Sequence, residues 1–293
     1  MELWIRNGQL VSKDVWESTI DKLHMNEPFY KTKKQCISEV REVLTRAVQS
    51  RIPSQRFAVF LSGGIDSSLL ALLAKKFGGD LVLVSVGLKD SPDLKHAKVM
   101  ADMLCVQWVV RELSLADCED LAQRAVKILP SALHDSVHVG ISAVVIAAVE
   151  AVKSQKIHYF IGGLGAEEIF AGYQRHVVSN DAHEECWAGL KRMWSTDLVR
   201  DAALGKALGI TVVTPFLDEE LIRVAMRVPA KLKIVDEERK VILRDVAEIM
   251  GVPHDIAWRK KQAAHYGSGV DKVIEKLART KGLGKTAYVR SLL

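Results

Sequence analysis

The chain has 293 residues, 48% of them hydrophobic and 26% charged, with a net charge of +5. That length exceeds one typical domain and predicts one large or two fused globular domains with an ample core. No apolar run reaches membrane-spanning length (Ile141–Val152 is short and carries Glu150), and the opening MELWIRNGQLVSK lacks the basic and apolar regions of a signal peptide. A soluble, cytoplasmic protein is expected. The modest charge is no argument for a nucleic-acid partner, without excluding one. The four cysteines, Cys36, Cys105, Cys118 and Cys186, form no Cys-x-x-Cys pair, which argues against disulfides and against zinc or iron–sulfur sites.

In chain order, Leu3–Ile5 and Leu10–Val11 flank Asn7-Gly8, which predicts a small hairpin. Thr32–Arg51 carries Ile37, Val40, Val43 and Leu44 at helical spacing and predicts an amphipathic helix. Residues 1–50 are thus expected as an N-terminal hairpin and helix, and 51–293 as the main domain. Within it, Phe57–Leu61, Leu81–Val86, Gln107–Leu113 and Tyr159–Gly162 are candidate strands. Leu69–Phe77, Leu94–Leu104, Asp117–Leu129 and Gly140–Lys153 are the helices between them. Apolar strands alternating with helices predict an α/β fold, a parallel sheet with helices on both faces. From about Glu184 onward strands are hard to find, and a helical C-terminal part is expected.

The run Ser62-Gly63-Gly64-Ile65-Asp66-Ser67-Ser68 follows the first of these strands and opens a helix. Gly63 and Gly64 lack Cβ, so backbone N–H groups can come close to an anion. Ser62, Ser67 and Ser68 add hydroxyl donors, and the helix start adds partial positive charge. Asp66 would repel phosphate directly; a bridging Mg²⁺ reconciles the two. The ordinary phosphate loop, Gly-x₄-Gly-Lys-Ser/Thr, is absent, because Arg279 stands where Gly284-Lys285-Thr286 would need its first glycine. A dinucleotide fingerprint fails at Glu168, where its third glycine belongs. The SGGxDSS pattern resembles instead the loop of ATP pyrophosphatases, the PP-loop superfamily, which split ATP between its α- and β-phosphates.

A second glycine turn, Gly162-Gly163-Leu164-Gly165, leaves the fourth strand and leads into Ala166-Glu167-Glu168-Ile169-Phe170-Ala171-Gly172-Tyr173. Acids in a first helical turn are favoured by the dipole alone. The competing reading is that Glu167, beyond the same sheet edge as Asp66, completes a Mg²⁺ site. His134 and His138, four apart, are a candidate pair on one helix face, with a local polar contact as the plainer reading. The basic clusters Arg259–Lys261 and Arg279–Arg290 suit a solvated helix end, a phosphate-facing site, or RNA.

The second turn resembles the GEGSDExFGGY motif of the synthetase domain of class B asparagine synthetases. Val86-Gly87-Leu88 with Ser91-Pro92-Asp93-Leu94-Lys95 resembles that family's adenosine-holding segment. Thr214-Pro215-Phe216-Leu217-Asp218 matches its TPFLD, Lys240-Val241-Ile242-Leu243-Arg244 its K-x-I-L-R, and Ile256–Lys261 resembles its V-A-W-R-x-K. Six motifs in family order span roughly residues 50–275. Gly163–His176 and Tyr266-Gly267-Ser268 give the closest overall likeness, to asparagine synthetase domain-containing proteins. The resemblance implies an adenine nucleotide alpha hydrolase-like fold, with ATP and Mg²⁺ as cofactors. It implies that Ser62, Gly63, Gly64, Asp66, Ser67 and Ser68 hold pyrophosphate and its Mg²⁺, that Leu61, Val86 and Gly163, with Gly162 beside it, flank adenosine, and that Glu167 is a metal ligand. Lys240 would meet the β- and γ-phosphates, with Arg259 and Lys261 closing the phosphate side.

Two positions depart from the family pattern. Leu164 stands where the family has the glutamate that steers ammonia, and Gly140 where it has an arginine that pairs a substrate carboxylate, just after Asp135, which resembles a substrate-side aspartate. Adenylation is expected to be retained, and the amide-forming half-reaction is left open. The family's glutaminase half begins with a cysteine nucleophile, whereas residue two here is Glu2. The expected partners are therefore ATP, a small carboxylate (aspartate by family default), and ammonia, an amine or a separate glutaminase. A tRNA-modifying adenylating enzyme of the PP-loop type and a non-catalytic ATP-binding subunit are the alternatives.

Overall fold

The computed structural model describes residues 2–6, 9–24, 28–260 and 263–293. The expected Asn7-Gly8 turn and Lys261 fall outside them. The chain opens with β1 (Ile5–Arg6) and β2 (Gln9–Leu10), antiparallel as the hairpin reading requires. Helix α1 (Lys13–Leu23) follows, which the sequence reading did not identify, capped by the Ser12 hydroxyl. Helix α2 (Lys33–Gln49) is capped by Thr32 and buries Cys36, Val40, Val43, Leu44, Ala47 and Val48.

An alternating run comes next: β3 (Phe57–Phe60), α3 (Ile65–Lys76), β4 (Leu81–Leu88), α4 (Pro92–Leu104), β5 (Trp108–Leu113), α5 (Leu115–Ile128), α6 (Ser136–Ala151) and β6 (Tyr159–Ile161). Short helices α7 (Ala166–Ile169) and α8 (Gln174–Val178) precede α9 (Ala182–Arg192) and α10 (Asp197–Leu208). Strand β7 (Thr211–Val213) then leads to α11 (Glu219–Met226), α12 (Ala230–Lys233), β8 (Ile234–Val235) and β9 (Glu238–Arg239). The chain ends with α13 (Val241–Met250), α14 (His254–Ala257), α15 (Ala264–Gly267), α16 (Val270–Thr280) and α17 (Lys285–Arg290).

The main sheet has five strands in the order β5-β4-β3-β6-β7. β3 pairs in parallel with β4 (Val59↔Leu83) and with β6 (Val59↔Ile161), and β4 pairs in parallel with β5. The expected α/β fold with a parallel sheet is the one present. β7 extends it and was missed, because three residues between Gly209 and Pro215 make no strand-length pattern. From β3 the chain steps outward to β4 and β5, then returns to the other side of β3 as β6. Right-handed crossovers therefore put α3 and α4 on one face and α5 and α6 on the other, and α3 packs on α4 as α5 packs on α6. The order reverses between β3 and β6, and ligands of open parallel sheets bind beyond the strand carboxyl ends at such a reversal.

The chain divides into two compact units whose segments interleave along the sequence. One comprises 53–161, 199–212 and 259–293; the other comprises 1–52, 162–198 and 213–258. The first, the sheet unit, has its core in Ala58, Val82, Val84, Leu121, Ala143, Ile146, Phe160 and Ile274, among others. In the second, the helical unit, α2 packs on α11 and α13, and α1 and α7 pack on α9.

Candidate active site

In the sheet unit, Leu61 continues β3, its N–H donating to the Val84 carbonyl. Its own carbonyl accepts from Ser85 Oγ at 2.6 Å, and Ser85 Oγ accepts from Trp108 Nε1 at 2.8 Å. Hydrogen bonds from two neighbouring strands thus set the height at which the loop begins. Gly63 takes φ +67°, and a Cβ there would lie 2.4 Å from the Ala97 backbone nitrogen of α4. Only glycine fits both the conformation and the space.

Gly64 caps α3 in extended geometry, so the first turn of a twelve-residue helix opens directly from the loop. The Ser62 backbone N–H donates to Ser67 Oγ (3.2 Å), the two hydroxyls lie 3.1 Å apart, and Ser67 Oγ donates to the Gly64 carbonyl (3.1 Å). Ser68 is fully buried, and among the described residues its Oγ has no hydrogen-bond partner. Asp66 is half-buried in the first turn of α3. Val86, buried on β4, precedes Gly87, which is pressed against Ser91 and Ser268.

Arg259 reaches back to this loop within the same unit. Its Nη1 donates to the Ser62 carbonyl at 3.1 Å and its Nη2 to Asp93 Oδ1 at 2.7 Å. Burial pushes the Asp93 carboxyl up to about 6, against the pull of the Arg259 guanidinium. Gly267 abuts Asp93 so closely that a Cβ would sit 2.0 Å from Oδ1, and the Ser268 carbonyl accepts from Leu88 N–H at 2.8 Å. Three motifs distant in sequence, SGGIDSS, Ser91–Lys95 and Tyr266–Ser268, are therefore joined through one guanidinium and one carboxylate.

In the helical unit, Gly162 N–H donates to the Val213 carbonyl (2.9 Å) and the Ala166 N–H to the Gly163 carbonyl (3.3 Å). Gly165 takes φ +98° against Leu217 and Phe216, so the second glycine turn is seated on the TPFLD segment. Glu167 Oε1 accepts from Lys240 Nζ at 2.6 Å, and Lys240 is 1% exposed. A Cβ on Gly172 would fall 1.8 Å from Glu167 Oε2 and 2.4 Å from Lys240 Cε. Gly172 leaves the space the ion pair occupies. Lys240 itself has φ +60° at the cap of α13, a strained backbone for a side-chain-bearing residue.

Arg244 of K-x-I-L-R plays a structural part, donating to the Arg239 carbonyl (2.7 Å) and the Ala257 carbonyl (2.6 Å). Glu168 is buried. Burial, with Asp197 and Glu167 nearby, pushes it up to about 7, and Arg175 lies 3.7 Å away. Burial first, then Arg175 and Lys233, bring His176 down to about 4, so it is neutral at ordinary pH.

The asparagine synthase family model matches residues 39–180 and 177–290. The chain belongs to the asparagine synthase family. Among its relatives, a putative glutamine-hydrolyzing asparagine synthetase of Methanocaldococcus jannaschii is 28% identical over 296 residues, which cover 86% of this chain and 54% of that one. The nodule asparagine synthetase of Pisum sativum is 32% identical over 251 residues, 78% of this chain and 42% of that one. This chain thus spans about half the length of these relatives. A solved structure of NMN synthetase from Francisella tularensis is 16% identical, covering 90% of this chain and 87% of that one, with a TM-score of 0.45.

Within this asparagine synthase family member, the TPFLD segment owes its shape to residues that sequence reasoning left unassigned. Thr214 Oγ1 accepts from Trp4 Nε1 (2.9 Å) and donates to the Glu2 carboxylate. Arg51 pairs with Glu2 (3.3 Å) and Asp218 (2.7 Å), and Asp218 caps α11. The apolar setting of Trp4 and the lone Arg51 at the end of α2 were the available signals. The His134 and His138 pair does not share a helix face: His134 precedes α6 and its Nε2 meets the Leu129 carbonyl at 2.9 Å.

Proposed function

We propose that this chain is an ATP-dependent carbon–nitrogen ligase that forms AMP and pyrophosphate. The carrying observation is the SGGIDSS loop, built by Gly63, Gly64 and the Ser62–Ser67 contacts at the carboxyl edge where the sheet order reverses. In the proposed reaction a substrate carboxylate oxygen attacks the α-phosphorus, the bond to the β-phosphate oxygen breaks, and pyrophosphate leaves. An amine or ammonia nitrogen then attacks the acyl carbon, AMP leaves, and a proton is released. The relatives named asparagine synthetase support aspartate as the carboxylate.

The residues' roles follow from their chemistry. Loop N–H groups and the Ser62, Ser67 and Ser68 hydroxyls bind the pyrophosphate oxygens, and Leu61, Val86, Gly162 and Gly163 are assigned to the adenosine. Lys240 meets the charge that grows on the leaving phosphates, and positioning with charge stabilisation carries most of such a step. Asp66, in the sheet unit, offers a hard carboxylate oxygen of the kind Mg²⁺ takes and is a proposed ligand; Glu167, in the helical unit, offers another and is proposed by the same chemistry. Bound there, Mg²⁺ would neutralise the leaving pyrophosphate. Arg259 fixes the loop backbone rather than standing ready as a mobile cation, because both arms of its guanidinium are engaged.

The test is ATP–pyrophosphate exchange screened over amino acids and dicarboxylates. Exchange that depends on one carboxylate, lost in Asp66→Ala, supports the reading. Mg²⁺-ATP binding without exchange under any carboxylate would instead mark a non-catalytic ATP-binding subunit.

A further inference from the structure

We propose that Asp135 and His138 form the proton-accepting dyad of the amide-forming step, a proposal that rests on the ligase reading above. Asp135 caps α6, its Oδ1 accepting from the Val137 and His138 backbone N–H groups (2.9 and 3.0 Å), while its Oδ2 lies 2.6 Å from His138 Nδ1. An ionised carboxylate only accepts, so Nδ1 carries the hydrogen and the neutral ring keeps its lone pair on Nε2. The ring is thereby held in the tautomer a general base needs. His138 keeps 17% of its side-chain exposure and Asp135 34%, so a small nucleophile can reach the ring.

Position follows from contacts inside the sheet unit. Gly140, two residues beyond His138, packs against His265, where a Cβ would lie 3.0 Å from the His265 Cβ. His265 precedes Tyr266-Gly267-Ser268, whose Gly267 abuts Asp93 and whose Ser268 carbonyl takes the Leu88 N–H. Asp93 in turn shares Arg259 with the Ser62 carbonyl. The first turn of α6 is therefore tied, contact by contact, to the phosphate loop's end of the unit. Leu164, in the second glycine turn, has no titratable group and cannot take this role.

In the step assigned to the dyad, the amine nitrogen bonds to the acyl carbon and the carbon–oxygen bond to AMP breaks. His138 Nε2 takes the proton that nitrogen sheds, and Asp135 stabilises the imidazolium through Nδ1–H. A merely structural cap would hold α6 in place and leave the two half-reactions coupled as before.

The experiment measures pyrophosphate exchange and amide formation side by side, with L-aspartate first and the other carboxylates of the screen after it, and with ammonium chloride or hydroxylamine as nucleophile. In His138→Gln the ratio of amide formed to pyrophosphate exchanged falls about 100-fold with ammonium. It falls much less with hydroxylamine, which is largely unprotonated at neutral pH. Added imidazole restores the ratio in His138→Ala. Asp135→Ser, which keeps a capping oxygen but removes the dyad, lowers the ratio by about tenfold. An unchanged ratio in His138→Gln overturns this proposal alone and leaves the ligase reading standing. No exchange in the wild type with any carboxylate overturns the ligase reading and this proposal together.

Discussion

Lys240 shows how much one side chain can be asked to do. The residue is 1% exposed and its ammonium is held 2.6 Å from Glu167 Oε1, on a backbone at φ +60°. Removing one partner of a buried ion pair leaves the other charge without compensation, at about 3–5 kcal/mol. Lys240→Met is therefore expected to abolish pyrophosphate exchange and to lower unfolding stability by that amount, read from denaturant melts. Equal exchange in the variant would take Lys240 out of the proposed site. Glu168 makes the opposite prediction. Its folded carboxyl stands at about 7 against an ordinary 4.5, so the folded state holds its proton more tightly than the unfolded chain does. Stability is then greatest below 4.5 and is lost as pH rises through 7. Glu168→Gln removes that loss, about 3 kcal/mol for a shift of this size. Its melting temperature should exceed the wild type's at about pH 8 and match it at about pH 4.5. A constant gap between the two would show that Glu168 ionises freely.

At the scale of elements, the strand–loop–helix unit from β3 to α3 is legible in the sequence, because apolar strand, glycine turn and helix start are adjacent in the chain. What the sequence could not say is why Gly63 rather than Gly64 is the stricter of the two. The answer is the α4 backbone, 2.4 Å from where a Cβ would be, together with φ +67°. Gly63→Ala is expected to cost about 2 kcal/mol or more from left-handed strain and forced separation of loop and helix. ATP affinity should fall with it, measured by calorimetric titration. Unchanged affinity would mean that the loop does not set the ATP site. Short elements were harder to read. β7 has three residues and α7 four, below the length at which periodicity separates strand from helix.

At the scale of the whole chain, net charge and ligand linkage make separable predictions. A ligand that binds only the folded protein stabilises it by about 2.7 kcal/mol at 100 times its dissociation constant. Mg²⁺-ATP should accordingly raise the melting temperature progressively with its concentration, and Asp66→Ala should blunt the rise. With a net charge of +5 spread over 293 residues, bulk tRNA should not shift the protein in a gel at about 0.15 M salt. A retarded band with a steep salt dependence would favour the tRNA-modifying alternative over the ligase.

The order of residues alone determined the parallel α/β class and the strand, glycine turn and helix start that carry SGGIDSS, because those features depend on neighbours within a turn or a strand. Only the folded chain decided which of the remote polar and charged residues meet: Asp93 with Arg259, Glu167 with Lys240, Glu2 with Arg51 and Thr214. The identity of such partners depends on burial and on the close approach of backbones that are far apart in sequence. Gly172 and Gly267 each leave room for one carboxylate, and at Gly63 the remote backbone of Ala97 closes on the loop.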